Sequence, residues 1–167
     1  PKEVNLLIAL IINLFFRMSL FLSTYINRID KKGRVSVPST FRSILEQNGL
    51  KGMICYPAPA LGSIEGCSLN RMKKISDAIE ASGPFTDERT SFSTSIFADS
   101  HQINFDQEGR VIIPNELLNF SGIKDQVTFA GMGETFQMWK PETYQSYKAK
   151  TSKEAQDNLT KLSWRNE

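Results

Sequence analysis

The chain has 167 residues, 40% hydrophobic and 23% charged, which is the balance of a folded protein and excludes a largely disordered one. Its formal net charge of +2 is too small to indicate a nucleic-acid-binding protein from composition alone. Two cysteines and one histidine are too few for a zinc or redox centre, so we expect no metal and no cofactor.

The N-terminus contains an apolar run, residues 6–16, bounded by Lys2-Glu3 and Arg17. The run is shorter than the roughly 20 apolar residues that span a bilayer, and no small-residue cleavage site follows it. We interpret residues 1–17 as an upstream extension, with native translation starting at Met18, and we expect no membrane partner. A membrane anchor and an export signal are the alternatives for this segment.

A near-repeat is the strongest feature of the sequence. Residues 30–38 read Asp-Lys-Lys-Gly-Arg-Val-Ser-Val-Pro, and residues 106–114 read Asp-Gln-Glu-Gly-Arg-Val-Ile-Ile-Pro. Asp, Gly, Arg, Val and Pro recur in the same register, which is improbable by chance. The chain is therefore predicted to contain two copies of one supersecondary unit.

Each copy is predicted to be a hairpin, because an extended segment (24–29 or 102–105) enters Asp-x-x-Gly and leaves as a strand. The first Asp can bond to backbone amides ahead of it, and the turn glycines, Gly33 and Gly109, can adopt a left-handed conformation without steric cost.

Period-two alternation in the returning strand separates its side chains into two faces. Val35 and Val37 are expected to point inward, and Arg34 outward. The second copy repeats this arrangement, with residues 111 and 113 inward and Arg110 outward.

The proline ends each strand, and a short helix is predicted after it, terminating at Gly49 in the first copy and at Gly122 in the second. Further strands are predicted around 53–56, 126–130 and 135–139. Helices are predicted over 71–80, from about residue 86 and from Pro141. These elements define an α+β, β-rich fold class.

The two units are expected to pack against each other, because an isolated hairpin is marginally stable in water. The predicted organisation is a first unit over 18–76, a helical connector over 77–98, a second unit over 99–147 and a polar, partly helical tail over 148–167.

The motif Asp-x-x-Gly-Arg-Val-x-x-Pro resembles the AbrB-type swapped-hairpin DNA-binding fold, and two tandem copies in one short chain resemble the MraZ family. The resemblance covers nearly everything from Met18 to about Tyr147. It implies a pseudo-dimer of AbrB-like units that represses the division and cell-wall gene cluster, including its own promoter. It also implies a cytoplasmic, nucleoid-associated homo-oligomeric ring that binds short tandem DNA repeats upstream of its operon.

The resemblance also assigns roles to residues of the two turns. Arg34 and Arg110 would contact DNA, because a guanidinium binds guanine or phosphate through a planar fork. Asp30 and Asp106 would hold the arginines in one orientation. Arg28, Lys31 and Lys32 add positive charge around the first turn and are also expected to bind DNA, and Arg42 is expected on the same surface.

The second turn carries Gln107 and Glu108 instead, so the first turn is predicted to supply most of the phosphate affinity. Without the resemblance, each motif would be interpreted as a good turn with an exposed salt bridge.

Other functional classes have weaker support. The sequence contains no nucleophile elbow, Gly-rich phosphate loop or cluster of histidine with carboxylates, so we predict no enzyme and no small-molecule substrate. A catalytic Cys55 or Cys67 paired with His101 remains an alternative. So does an AbrB-fold protein-interaction or antitoxin-like module without operon-specific DNA binding.

Overall fold

A computed structural model describes residues 20–47, 49–83 and 86–159, and the predicted extension 1–17 lies outside them. The described strands are β1 Thr24–Arg28, β2 Arg34–Ser36, β3 Gly52–Ala58, β4 Ser63–Cys67, β5 His101–Asn104, β6 Arg110–Ile112, β7 Gln126–Gly131 and β8 Phe136–Trp139. The helices are α1 Ser39–Gln47, α2 Leu69–Glu80, α3 Asp87–Phe92 with a π-helical continuation Ser93–Ala98, α4 Asn115–Ser121 and α5 Pro141–Asn158. The predicted α+β, β-rich class is confirmed.

Six strands form one antiparallel sheet in the order β1-β7-β8-β4-β3-β5. Exchanging each strand of the first copy with its equivalent in the second (β1 with β5, β3 with β7, β4 with β8) gives the same order read from the opposite end. The two copies therefore occupy equivalent places in the sheet. Strand β1 pairs with β7, β3 pairs with β5, and β4 pairs with β8 at the centre. The two copies therefore share one sheet, as expected from the marginal stability of an isolated unit.

The remaining two strands, β2 and β6, form a separate antiparallel ribbon, in which Val35 lies opposite Val111. Each predicted hairpin is consequently shorter than the sequence pattern indicates. In the first copy a single bridge, Ile29 to Val35, joins the two sides of the turn before β1 and β2 enter different sheets. Strands β1 and β2 separate because each pairs with a strand of the other copy over more residues than the single bridge that joins them across their own turn.

The main core lies between one face of the six-stranded sheet and a layer made of the ribbon, α1 and α4. Side chains from both layers are fully buried there, among them Val35, Phe41, Leu45, Phe129 and Phe136. The predicted inward positions of the ribbon strands, residues 35, 37, 111 and 113, are all buried.

The opposite face of the sheet is covered by helices from both halves. Met72 of α2 packs with Ile54, and Tyr144 of α5 packs with Trp139. The Trp139 ring also stacks on Tyr147 with ring centroids 4.7 Å apart. These aromatic side chains are core and helix contacts in this structure.

Several element boundaries differ from the predicted ones. Strand β4 was not predicted, and α5 runs without a break from Pro141 to Asn158, into the tail that was predicted to be partly helical. Helix α2 begins at Leu69, where the Ser68 side chain accepts a hydrogen bond from the Arg71 amide. Within the described ranges, no helix is both long and apolar enough to cross a membrane.

Candidate nucleic-acid interface

The two repeated turns have the same backbone geometry. The Gly33 amide donates to the Asp30 carbonyl at 2.9 Å, and Gly33 has φ +77°. In the second copy the Gly109 amide donates to the Asp106 carbonyl at 3.0 Å, and Gly109 has φ +74°. A three-residue loop closed by a left-handed glycine is the conformation predicted from Asp-x-x-Gly.

The aspartate side chain joins the turn to the arginine that follows it. Asp30 Oδ1 accepts hydrogen bonds from the backbone amides of Lys32 (2.8 Å) and Arg34 (2.9 Å). Its Oδ2 accepts from Arg34 Nε at 2.8 Å and lies 2.7 Å from Arg34 Nη2. One carboxylate therefore shapes the backbone and orients the guanidinium.

The second turn repeats these contacts. Asp106 Oδ1 accepts from the amides of Glu108 and Arg110, both at 2.9 Å. Its Oδ2 accepts from Arg110 Nε at 2.8 Å. The geometry is thus a property of the repeated motif and is independent of the residues between Asp and Gly.

The pKa values of these groups are shifted by their mutual contacts. The side-chain hydrogen bond from Arg34, followed by its backbone amide, lowers the pKa of Asp30 to about 2. The backbone amide of Arg110 is the main cause of the lowered pKa of Asp106. The Asp106 hydrogen bond raises the pKa of Arg110, and the negative charge of Asp30 adds to this effect across the ribbon.

The contact with Arg34 predicts how the pKa of Asp30 responds to substitution. Replacing Arg34 with Ala should raise the pKa of Asp30 from about 2 toward 3.8, because the largest cause of its depression is removed. The shift is measured from the side-chain carboxyl resonance of Asp30 as pH is lowered. Arg110→Ala is the matched control and should raise the Asp30 midpoint much less, because Arg110 acts on Asp30 only through its charge across the ribbon; equal midpoints in all three proteins would contradict the assigned contact.

The sign of the linkage follows from the same values. The folded pKa of Asp30 lies below its ordinary value of 3.8, so the charged carboxylate stabilises the turn above about pH 4. That stabilisation declines as pH falls from about 4 and is lost as pH falls through about 2. The ion pair is therefore fully formed at neutral pH.

The arginines lie on the same outward face of the β2–β6 ribbon. Arg34 is opposite Ile112, and Arg110 is opposite Ser36, so the two arginines are diagonal neighbours with Cα atoms roughly 7–8 Å apart. Their side chains are 28% and 21% exposed. The structure thus brings together two residues that are far apart in sequence, each at the surface and each held by its own carboxylate.

Two neighbours of the arginines on this face were not singled out from the sequence. Ser36 is exposed, and Ile112 is 59% exposed although it lies between buried Val111 and buried Ile113. The period-two alternation that assigned the arginines outward assigns these two residues outward as well, and that was the available signal. Arg34, Ser36, Arg110 and Ile112 are called the ribbon face below.

Charge differs between the two turns. Lys31 and Lys32 are exposed at the first turn, and neither forms a salt bridge within the described part of the chain. At the second turn the carboxylate of Glu108 lies 2.7 Å from Arg110 Nη1. Positive charge is therefore open to solvent at the first turn and partly neutralised at the second.

Arg28 is exposed, and it lines a surface cavity of about 560 Å³ beside the first turn. Lys124 and Lys140 line the same cavity, together with the acidic residues Asp125 and Glu142. Arg28 is thus part of a separate, mixed-charge cavity and not of the ribbon face.

Arg42 has a structural role that differs from the expected surface position. Its Nη1 donates to the carbonyl oxygens of Val37 (3.0 Å) and Gly109 (3.4 Å), so its guanidinium covers the second turn. Gly109 is buried beneath it, and a Cβ built on Gly109 would lie 2.3 Å from Arg42 Nη1. Gly33 has open space at the equivalent place. Arg42 therefore braces the second turn only.

The cysteine alternative is disfavoured by the environment of the thiols. His101 lies opposite Cys55 across β3 and β5, but its Nε2 is 3.1 Å from a carboxylate oxygen of Glu116. Burial raises the pKa of Cys55 well above its ordinary value and raises that of Cys67 to about 12. Both thiols are therefore protonated and poor nucleophiles at neutral pH. In the part of the chain that the structure describes, no group of three or more His, Cys, Asp and Glu side chains could hold a metal ion.

The chain is similar in sequence to proteins of one known family. A family model described as "MraZ protein", whose description also likens the family to antitoxins, matches residues 96–163. A "Transcriptional regulator MraZ" of Pelagibacter ubique is 46% identical over 87% of this chain and 94% of that protein. Proteins of the same name from Rickettsia bellii and Rickettsia canadensis are 42% and 41% identical, over 87% and 78% of this chain and 97% and 87% of their own lengths.

The shared sheet and the duplicated Asp-Arg turns define an α+β protein made of two copies of one turn-and-helix unit. Identity to the Pelagibacter protein extends over both copies, since it covers most of each chain. The chain belongs to the MraZ family of transcriptional regulators.

Proposed function

We propose that the chain is a sequence-specific DNA-binding repressor of the division and cell-wall gene cluster, including its own promoter. The observation that carries the proposal is the pair Arg34 and Arg110, which lie side by side on the ribbon face, each oriented by an aspartate. The names of the similar proteins from Pelagibacter and Rickettsia support regulation of transcription as the context.

The physical basis is the match between the ribbon and the major groove. The groove admits a two-stranded β-ribbon, and an arginine fork can bind O6 and N7 of a guanine. Asp30 and Asp106 restrict the rotamers of the arginines, which lowers the entropy lost when a base is bound. In this proposal the arginines contact bases or phosphates directly, and the aspartates position them.

Oligomerisation is part of the proposal. One subunit has a net charge of only +2 and therefore little overall attraction to DNA, so repeated subunits on short tandem repeats would multiply a weak attraction. Strand β1 is at one end of the sheet and carries exposed Ile26, with exposed Leu22 just before it. We propose that such surfaces join subunits into a homo-oligomeric ring in the cytoplasm, associated with the nucleoid.

Lys31 and Lys32 are expected to supply phosphate contacts. Replacing both with Ala should reduce the slope of log K against log salt by about two units, because roughly one counterion is released for each neutralised phosphate. The measurement is a salt-titrated binding assay on the DNA upstream of the protein's own gene. The matched control is Lys148→Ala/Lys153→Ala, which removes the same charge from exposed positions of α5; an equal slope change in both variants would contradict the assignment.

The second candidate function is an antitoxin-like protein-interaction module, and it is favoured by the likeness to antitoxins in the family description. It predicts that affinity capture from cells recovers one stoichiometric protein partner and that the chain is not retained on DNA. Retention on the upstream DNA with no such partner is the result expected from the repressor proposal.

A further inference from the structure

The two copies of the motif present different residues next to otherwise equivalent arginines. Ser36 follows Arg34 by two residues, and Ile112 follows Arg110 by two residues. The register places Ile112 directly opposite Arg34 and Ser36 directly opposite Arg110. On the ribbon face the two arginines are therefore repeated between the copies. The residues beside them are not repeated, since one is the hydroxyl-bearing Ser36 and the other is the branched aliphatic Ile112.

Among the residues that the structure describes, Ile112 is not part of the core. It is 59% exposed, whereas Val111 and Ile113 on either side are at most 2% exposed and fill the core. A single exposed apolar residue is ordinary on a protein surface. Ile112 differs because it lies directly opposite Arg34 and two residues from Arg110 on the same face, so a ligand that lies along the ribbon and binds both arginines would also reach the isoleucine.

The chemistry of the side chain restricts its partner. An isoleucine offers no donor to a phosphate, and in the major groove the apolar feature of a base edge is the 5-methyl group of thymine. A serine hydroxyl, in contrast, can donate to or accept from several base edges.

We propose that Ile112 and Ser36 are specificity-determining residues: Ile112 contacts a thymine methyl group next to the bases bound by the arginines, and Ser36 hydrogen-bonds to a base edge at the equivalent place. This inference rests on the proposed function. It deepens that proposal by making the site of one subunit asymmetric, although the turns on either side of the ribbon have the same geometry.

The test uses a duplex selected by the full-length wild-type protein from a random-core library, with each dT then replaced singly by dU. This replacement removes only the methyl group. The wild-type protein should lose about threefold to fivefold in affinity at one dT, since one buried methyl group is worth about 0.8 kcal/mol. Ile112→Ser should bind the dT and dU duplexes equally.

Ser36→Ile supplies a gain of function. It makes the ribbon face alike in the two copies, so the variant should select a duplex with a second dU-sensitive thymine, related to the first by a two-fold axis. Both positions are exposed, and thermal melting checks that the variants fold. No dU-sensitive position in the wild type, or equal sensitivity in wild type and Ile112→Ser, would overturn the inference.

Failure of the inference is distinguishable from failure of the proposed function. If Arg34→Ala/Arg110→Ala still prefers the selected duplex, the DNA-binding face itself is wrongly assigned. If that variant loses the preference while Ile112→Ser keeps the dU sensitivity of the wild type, only the role of Ile112 is wrong. A changed subunit number for Ile112→Ser in light scattering, with unchanged dU sensitivity, would also overturn it and make Ile112 a subunit contact.

Discussion

Replacing Arg34 and Arg110 together with Ala is expected to abolish preference for the protein's own upstream DNA over unrelated DNA. A well-formed bidentate contact from arginine to a base contributes about 1–3 kcal/mol of discrimination, so two contacts account for about 2–6 kcal/mol. The loss should be aggravated because Asp30 and Asp106 would keep their negative charges at the surface without the guanidinium that balances each of them. Each single variant should lose part of the preference.

The measurement is competition between specific and unrelated duplexes at fixed salt, because affinity without the salt concentration is uninterpretable. Arg34→Lys/Arg110→Lys is the control for charge. Lysine keeps the positive charge but lacks the planar fork, so this variant should retain the salt dependence of binding and still lose discrimination. Wild-type discrimination in the Ala variant would disprove the assigned interface, and wild-type discrimination in the Lys variant would exclude bidentate base contacts.

Gly109→Ala is expected to destabilise the fold much more than Gly33→Ala. Both glycines have positive φ, which costs a residue with a Cβ about 1–2 kcal/mol. Only at Gly109 does the new Cβ also collide with Arg42, whose guanidinium would have to leave two backbone carbonyls. The Gly109 carbonyl keeps its hydrogen bond from the Val37 amide, so the added cost is the loss of the hydrogen bonds from the charged guanidinium. That loss is worth about 1.5–3 kcal/mol, for a total of about 2.5–5 kcal/mol.

The free energies of unfolding are compared by urea titration at one protein concentration, because oligomerisation makes stability concentration-dependent. Arg42→Ala in the Gly109→Ala background provides the second test. If the collision is the cause, the double variant should be less destabilised than the sum of the single variants. Equal losses for Gly33→Ala and Gly109→Ala would mean that Arg42 does not brace the second turn.

The turns were predictable from sequence because their determinants are local. Asp30, Gly33 and Arg34 lie within five consecutive residues, and the hydrogen bonds that define the turn join these residues to one another. The inward and outward faces of β2 and β6 followed from alternation alone. The outward positions of the two arginines of the candidate site were predictable for the same reason. Their role in binding DNA is a prediction.

Strand partners were not predictable in the same way. The sequence pattern favours pairing β1 with β2 across the nearest turn, but the structure pairs β1 with β7 and β2 with β6. Such partners depend on burial in the complete molecule, which local propensity does not encode. Strand β4 was not predicted for a related reason. Four of its five residues are buried, on both faces of the sheet, so its sequence shows no alternation of polar and apolar residues.

The contact between Arg42 and Gly109 was also outside the reach of sequence patterns. The residue at the position equivalent to Arg42 in the second copy is Leu118, which is partly buried against the main core. The two turns therefore differ in their support although their sequences repeat. The second turn is covered by a cation of the first copy, and this contact follows from the three-dimensional structure and not from the repeat.

The interleaved sheet has a consequence for synthesis on the ribosome. Thr24 is paired with Ala130, so roughly 100 residues must be added after β1 before its partner strand exists, which takes about 5–20 s at usual elongation rates. During that interval the hydrogen-bonding edges of β1, β2 and β3 lack the strands that cover them in the finished fold. Unpaired strand edges favour aggregation, so the nascent first half is exposed to it until the second half is complete.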